Sequence, residues 1–332
     1  DDLSRLVSSC RGASEIALDV ESNGLHAYRP KLCVLQLAWR YADEAAEGSD
    51  DLRVAVVDSI AVDVSPLAEL LGPEGPPKLL HDVSFDAQIL RDHGLVLAGL
   101  RDTAVAALLL GEPATGLARL AASHLGVTLA KDLQSHDWAK RPLTAPQLDY
   151  LAGDVRHLFD LADRLWAKVT ELDIEDEIAV ESAYRLAAAL RQSSGAYSRH
   201  QGRPPYARVK GHAGLDGQQR AVLSRLAETR EQIGERMDCP PYQVAADGWL
   251  VAVARRRPDS RSALAALGRR GQRNRTHDAA WLAAVRKGAA DAPVQIEERA
   301  PTQEEVATRG RKREARARIN KWRRSEAQAR GV

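Results

Sequence analysis

Four carboxylates and a tyrosine stand where their surroundings favour other residue types. Asp19 and Glu21 are two apart in the apolar run Ile16-Ala17-Leu18-Asp19-Val20-Glu21. That run reads as a strand, so both acidic side chains leave it on one face. Two carboxylates held that close repel each other unless a cation lies between them. Asp86 sits near a helix start in Ser84-Phe85-Asp86-Ala87-Gln88, and Tyr150 and Asp154 are four apart on a helix, neighbours at about 5–6 Å between Cβ atoms. Such a set suits a phosphodiesterase working with two hard divalent ions, Mg²⁺ or Mn²⁺. Two ions roughly 3.5–4 Å apart activate a water and stabilise the leaving oxygen, while the phenol holds the water in line. Each piece also has an ordinary reading. The strand pair could end an edge strand, Asp86 could complement a helix dipole, and Tyr150 with Asp154 could be a solvated helix pair. Only the strand pair resists that treatment.

These residues need elements to hold them. Leu32–Trp39 and Val54–Val57 are two more apolar strands, and three successive strands without a helix predict an antiparallel meander. A helix should start at Ser65-Pro66. A strand at Lys78–His81 and a helix from about Ser84 to Gly94 follow. A short strand before Asp102-Thr103, a helix to Leu110, and another over Gly116–Leu125 stopped by Gly126 come next. Thr144-Ala145-Pro146-Gln147 predicts a capping box. One helix should run from it through Leu148, Leu151, Val155, Leu158 and Leu161.

Beyond residue 172, Ile178–Leu190 reads as a connecting helix, and Gly202-Arg203-Pro204-Pro205 as a break. Leu215 to Gly288 is helical in pattern. A linker then leads to the basic stretch Arg309–Arg324, where Ile319-x3-Arg323 echoes Leu226-x3-Arg230. That echo suggests the start of a second, truncated helical module; a plain basic tail fits as well. The expected division is 1–172, 173–210, 211–290 and 291–332.

The net charge of +1 conceals a polar chain. Residues 1–180 hold 16 of the 47 Lys and Arg but 30 of the 46 Asp and Glu, leaving 31 against 16 for the rest. An acidic half of −14 and a basic half of +15 suggest a polyanion-binding C-terminal half. No apolar run reaches the ~18–20 residues of a membrane span, and the N-terminus lacks the pattern of a secretory signal. It also lacks Met, so a few residues are expected to be missing. Cys10, Cys33 and Cys239 are scattered, which fits a reduced, cytoplasmic setting. No Gly-rich nucleotide loop is present.

Leu18-Asp19-Val20-Glu21, His81-x4-Asp86 and Tyr150-x3-Asp154 resemble the three motifs of the DEDD 3′–5′ exonucleases, tyrosine subtype. Tyr28–Leu37, Asp102-Thr103-Ala104, and Asp137–Thr144 continuing to Tyr150–Val155 extend the likeness. It covers about residues 1–170 and implies an α/β RNase H-like fold, a mixed five-stranded sheet with flanking helices. It also implies that Asp19, Glu21 and Asp154 ligate one metal, that Asp19 bridges to a second with Asp86 acting through water, and that Tyr150 orients the nucleophile. Tyr206-x3-Lys210-Gly211, Arg230, Pro240-Pro241-x2-Val244 and Pro258 resemble an HRDC domain, an all-α nucleic-acid module of the ribonuclease D family.

The whole implies a monomeric 3′–5′ exoribonuclease acting on RNA, with transfer RNA precursors as leading substrate and no membrane partner. A DNA exonuclease of the proofreading or Werner type and a dead nucleic-acid-binding scaffold are the rivals. Further candidates for substrate contact are His26, Tyr28 and Arg141, with packing the alternative for Tyr28. Arg255, Arg256, Arg257, Arg269 and Arg270, with Arg273 and Arg275 nearby, are expected to neutralise RNA phosphates or to keep the bundle solvated. His81 is expected to support a strand end, and Trp138 to anchor a loop.

Overall fold

The computed structural model describes residues 2–41, 52–130, 132–191, 203–268, 277–295 and 303–330. The chain begins with α1 (Asp2–Arg11), which the sequence reading had not anticipated, then β1 (Glu15–Ser22), β2 (Leu32–Arg40) and β3 (Arg53–Asp58). α2 (Ala68–Leu71) follows a 3-10 turn at Ser65–Leu67. β4 (Lys78–Leu80), α3 (Val83–Asp92), β5 (Leu100–Asp102) and α4 (Thr103–Leu109) come next. α5 (Leu117–Leu120) runs on as a π-helical turn to Leu125 and stops at Gly126, whose φ of +69° suits glycine.

The sheet order is β3-β2-β1-β4-β5. β1, β2 and β3 form the antiparallel meander, and β4 and β5 run parallel to β1. Alternation on β1 divides the molecule. Ile16, Leu18 and Val20 join the core under α1 and α3, whereas Ala17 faces the layer that holds Val155, Leu158 and Phe159. Asp19 and Glu21 share the parity of Ala17.

The single helix expected from Thr144 is two helices, α6 (Ala145–Arg156) and α7 (Leu158–Leu172), broken at His157 with φ −94° and ψ −1°. The apolar spacing continues through the break, but the halves serve different neighbours. α6 crosses β1–β3, and α7 packs on β4 and α4. The capping box of Thr144 and Gln147 is present.

α8 (Glu175–Leu190), read as a connector, is part of the first domain. It packs on α3 and β5, with Ile178 and Ala189 in that domain's cores.

The second core is all helical: α9 (Gly217–Arg236), α10 (Pro241–Val244), α11 (Asp247–Arg256), α12 (Arg261–Ala266) and α13 (Asp278–Ala290). Leu226, Ile233, Leu250, Val253, Trp249 and Trp281 fill it, the two indoles edge to face at 5.3 Å. Gly288 lets α13 lie against α9, since a Cβ there would come within 2.5 Å of the Val222 Cα. Val209, ahead of the expected boundary, is fully buried in this core. The basic stretch forms one helix, α14 (Gln303–Arg330).

The two domains meet through the loop after β1. Tyr28 Oη donates to Glu231 at 2.9 Å, and the Tyr28 amide donates to Asp238 at 3.1 Å. Arg29 pairs with Glu235 at 2.9 Å. Tyr242 Oη and Gln243 Nε2 both donate to the Leu25 carbonyl at 2.9 Å. Asn23 shapes this loop from within, its Oδ1 accepting the Lys31 amide at 2.8 Å.

Candidate active site

Strand β1 delivers Asp19 and Glu21 to the face crossed by α6, and α6 brings Asp154 down to them. One carboxylate oxygen from each of the three can be chosen so that all lie within 4.8 Å of one another. Asp86, in the first turn of α3, is 5% exposed. Its carboxyl is held well above the ordinary range, first by burial and then by the charges of Asp19, Asp82, Asp102 and Glu21. Burial also raises Asp19. Glu21 is pushed up to about 9 by burial and by the charges of Asp19 and Asp154. Asp154 is pushed up to about 8 by burial and by Asp19. No Lys or Arg is among the groups shifting any of the four.

Buried charges are ordinarily paired. This donor set fits a hard divalent cation: oxygen-only, converging, and repulsive until a positive charge arrives. Gln36 adds a second sign of unfinished chemistry. It lies opposite Asp19 across β1 and β2, is fully buried, and neither of its amide atoms has a hydrogen-bond partner.

Asp102 sets the position of Asp86. Fully buried, it accepts from the backbone amides of Asp82, Val83, Ala104 and Val105 at 2.9–3.3 Å. One carboxylate thus caps α4 and fixes the entry to α3, where Asp82 takes a left-handed φ of +66°. The match at Asp102-Thr103 was visible in the sequence; the four-amide role was not. Thr103 Oγ1 donates to the Leu80 carbonyl at 3.0 Å and so accepts from His81 Nδ1 at 2.8 Å. His81 braces the end of β4.

Tyr150 hydrogen-bonds to Asp154, and its phenol is raised by burial and then by Asp154, Glu21 and Asp19. Burial and the surrounding carboxylates thus favour the neutral phenol, which donates to Asp154. Trp138, 1% exposed, lies 5.6 Å from the Tyr150 ring and buttresses it.

The remaining sequence candidates fall differently. Arg141 spends all five N–H groups internally: two on Asp58 at 2.6 and 2.7 Å, and the others on the carbonyls of Trp138, Lys140 and Cys33 at 2.6–2.9 Å. It ties the Trp138 loop to β2 and β3 and has no donor left for a phosphate. Tyr28, 3% exposed against α9, cannot offer its ring to a base. His26 is half-buried with Nε2 at 2.9 Å from the Ser135 carbonyl. Arg255, Arg256 and Arg257 are exposed at the end of α11. Arg269, Arg270, Arg273 and Arg275 lie outside the described residues. Three large apolar side chains stand exposed near these motifs. Leu25, Phe85 and Leu148 are 50%, 48% and 41% exposed, each within four positions of Glu21, Asp86 or Tyr150. Only their exposure marks them, so the sequence carried no signal for them.

A 3′–5′ exonuclease family model matches residues 1–170, and an HRDC domain model matches residues 219–285. Ribonuclease D of Musicola paradisiaca is 30% identical over 292 residues, covering 86% of this chain and 72% of the relative. The chain belongs to the ribonuclease D family. Ribonuclease D of Escherichia coli K12 is also 30% identical, over 294 residues, covering 86% of this chain and 72% of that protein. The crystal structure of E. coli RNase D, described as an exoribonuclease involved in structured RNA processing, superposes with a TM-score of 0.68 at 26% identity. It covers 100% of this chain and 84% of its own. The catalytic core of RRP6 from Trypanosoma brucei shares the fold, with a TM-score of 0.66 at 23% identity over 86% of this chain and 77% of that one. This ribonuclease D family member thus has the exonuclease fold expected, a mixed five-stranded sheet with flanking helices, followed by a helical HRDC domain.

Proposed function

We propose that the protein removes nucleotides one at a time from RNA 3′ ends, releasing 5′-monophosphates, with precursor transfer RNA as the physiological substrate. The observation that carries this reading is the convergence of Asp19, Glu21 and Asp154, with buried Asp86 within reach of their charge and no basic partner among the described residues. Asp19, Glu21 and Asp154 would hold a divalent ion, Mg²⁺ or Mn²⁺, and Asp19 and Asp86 would help to hold a second. Bound there, divalent ions supply Lewis acidity and a water of lowered pKa.

The chain's own residues do the rest. The protonated Tyr150 phenol, placed by Trp138 and Asp154, hydrogen-bonds the water that attacks the terminal phosphorus. The P–O bond to the penultimate 3′-oxygen breaks, and that oxygen leaves with a proton. Leu25, Phe85 and Leu148 give the terminal nucleoside apolar surface. The basic second half supplies affinity for the phosphate backbone without sequence preference. No described helix is long and apolar enough to cross a membrane. The three cysteines are buried and free, which supports a reducing cytoplasm as its place of action, and we take the acting form to be a monomer.

A 3′-labelled RNA should be shortened with Mg²⁺ or Mn²⁺, spared with chelator, and spared by Asp19→Ala; shortening by that variant sinks the reading. A DNA oligonucleotide of matched sequence should be the poorer substrate.

A further inference from the structure

A cavity of about 520 Å³ opens where α9, α10 and the turn Pro205–Arg208 meet, and none of the roles above uses it. Arg203, Arg208, Lys210 and Arg230 line it, against the carboxylates Glu231 and Asp247. Both carboxylates are committed. Asp247 accepts from Arg230 Nη1 at 2.5 Å and from the Lys210 amide at 2.8 Å, and Glu231 accepts from Tyr28 Oη. Among the described residues no carboxylate pairs with Arg203, Arg208 or Lys210. Arg230 is 5% exposed, yet its Nε has no hydrogen-bond partner. A buried guanidinium N–H without an acceptor is costly, and the basic side chains lining the cavity outnumber its carboxylates, leaving positive charge for an anion to balance. Planar guanidinium donors suit phosphate in particular.

The rim points to what kind of phosphate. Tyr242 lines the cavity and is 56% exposed as a residue, while its hydroxyl is fixed to the Leu25 carbonyl. Leu25 is four residues beyond Glu21, so chain geometry keeps the two within about 14 Å. An exposed, tethered aromatic ring beside a cationic cavity is the pairing that holds single strands, by base stacking and phosphate neutralisation.

We infer that this cavity holds a backbone phosphate of the RNA strand whose 3′ end occupies the catalytic centre, with a base a few nucleotides upstream stacked on Tyr242. The inference rests on the exoribonuclease reading and adds the strand's path to it. That path crosses the turn Pro205–Arg208 and α10, and Arg255, whose guanidinium lies beside Gly214, adjoins it.

The test is fluorescence anisotropy of labelled single-stranded RNAs of 12 and 3 nucleotides, in chelator, against the full chain. Wild type should bind the 12-mer with a salt dependence that the pair Arg208→Gln/Lys210→Gln lowers by about 1–2 in slope, with affinity falling on the order of tenfold. Tyr242→Leu should weaken the 12-mer at least about fivefold, and Tyr242→Phe less, because the ring remains. Binding of the 3-mer, which lacks the nucleotides upstream of the terminal three, should change less than that of the 12-mer. An unaltered slope, an equal loss on both lengths, or a loss confined to Arg255→Gln/Arg256→Gln overturns the inference. Should the arginine–lysine pair unfold the domain, Lys210→Gln alone and Tyr242→Leu, both at exposed positions, carry the test. Hydrolysis by wild type with Mg²⁺ is scored separately. Its failure removes the exonuclease reading while leaving the binding result to stand for the cavity.

Discussion

Two clusters of charge flank the Trp138–Tyr150 pair, and they are built on opposite principles. On one side Arg141 and Asp58 close a knot in which every guanidinium N–H has an acceptor, and Asp58 also caps the turn through the amides of Ile60 and Ala61. On the other, Asp19, Glu21 and Asp154 converge with Asp86 within reach of their charge, all four carboxyls are pushed upward, and among the described residues no Lys or Arg relieves them. The knot is complete as folded. The acidic cluster costs stability as folded and recovers it only when a cation arrives. Charges that support structure are satisfied by structure, and charges that serve chemistry are left for a ligand to satisfy.

The contrast breaks most decisively at Asp19. Asp19→Asn should abolish hydrolysis to the order of 10³-fold or more. It should leave the metal-free protein as stable as wild type or more so, because it removes one repelling charge. Added Mg²⁺ should raise the wild-type unfolding temperature through linkage, by about 2.7 kcal/mol of stabilisation at a hundredfold excess over Kd. In the variant the shift should shrink or vanish. Calorimetric scans with Mg²⁺ and with chelator check both halves, and a clear loss of stability in metal-free Asp19→Asn would contradict the contrast.

Tyr150→Phe comes next. The ring stays against Trp138 while the hydroxyl goes, so kcat should drop roughly 10²-fold with KM for RNA little changed. A matched rise in KM would mean that the phenol holds substrate and does not orient water.

Much of this was legible in advance, and the reason is local. Asp19-x-Glu21 inside an apolar strand and Tyr150-x3-Asp154 behind a capping box obey the periods of strand and helix, which sequence carries directly. The meander followed from three strands in succession without a helix, whereas the mixed five-stranded sheet was implied only by the family resemblance. What was not legible depends on contacts distant along the chain. The break at His157 is set by two helices serving different layers. α8 is a core helix only because α3 and β5 lie under it. Tyr28 and Arg141 looked like substrate contacts because tyrosine and arginine beside a motif often are. Their partners, Glu231 and Asp58, lie 203 and 83 residues away.

The knot makes the third prediction. Arg141→Ala strips five hydrogen bonds, several to charged or partly buried groups, and should cost about 2 kcal/mol of stability, discounted because the pair is partly exposed. Activity should fall as well, through the loosened Trp138 and Tyr150. The pH dependence has a definite sign. Arg141 holds Asp58 below its ordinary value. The pairing therefore contributes fully above the unfolded carboxylate pKa near ~3.9 and is lost as pH falls through the lower folded value. The stability gap between wild type and Asp58→Asn should hold from pH 7 to about 5 and close toward about 2. A gap that widens on acidification would reverse the assignment.

Gln36 sharpens the comparison because it stands between the two principles. It is neutral, fully buried, directly across from Asp19, and unpaired at both amide atoms. If it is as unsatisfied as the folded geometry shows, Gln36→Leu replaces two stranded polar atoms by an apolar group of similar shape. That should be neutral or stabilising by up to about 1 kcal/mol, read by chemical denaturation in chelator. A stability loss beyond about 1 kcal/mol would mean that the amide does have a partner in solution, and Asp19 is the group facing it. Gln36 would then belong with the acidic cluster, holding a carboxylate in place, and the effect should grow when Mg²⁺ is added. Because the substitution changes no charge, either result isolates the hydrogen bond from the repulsion that governs the other four side chains.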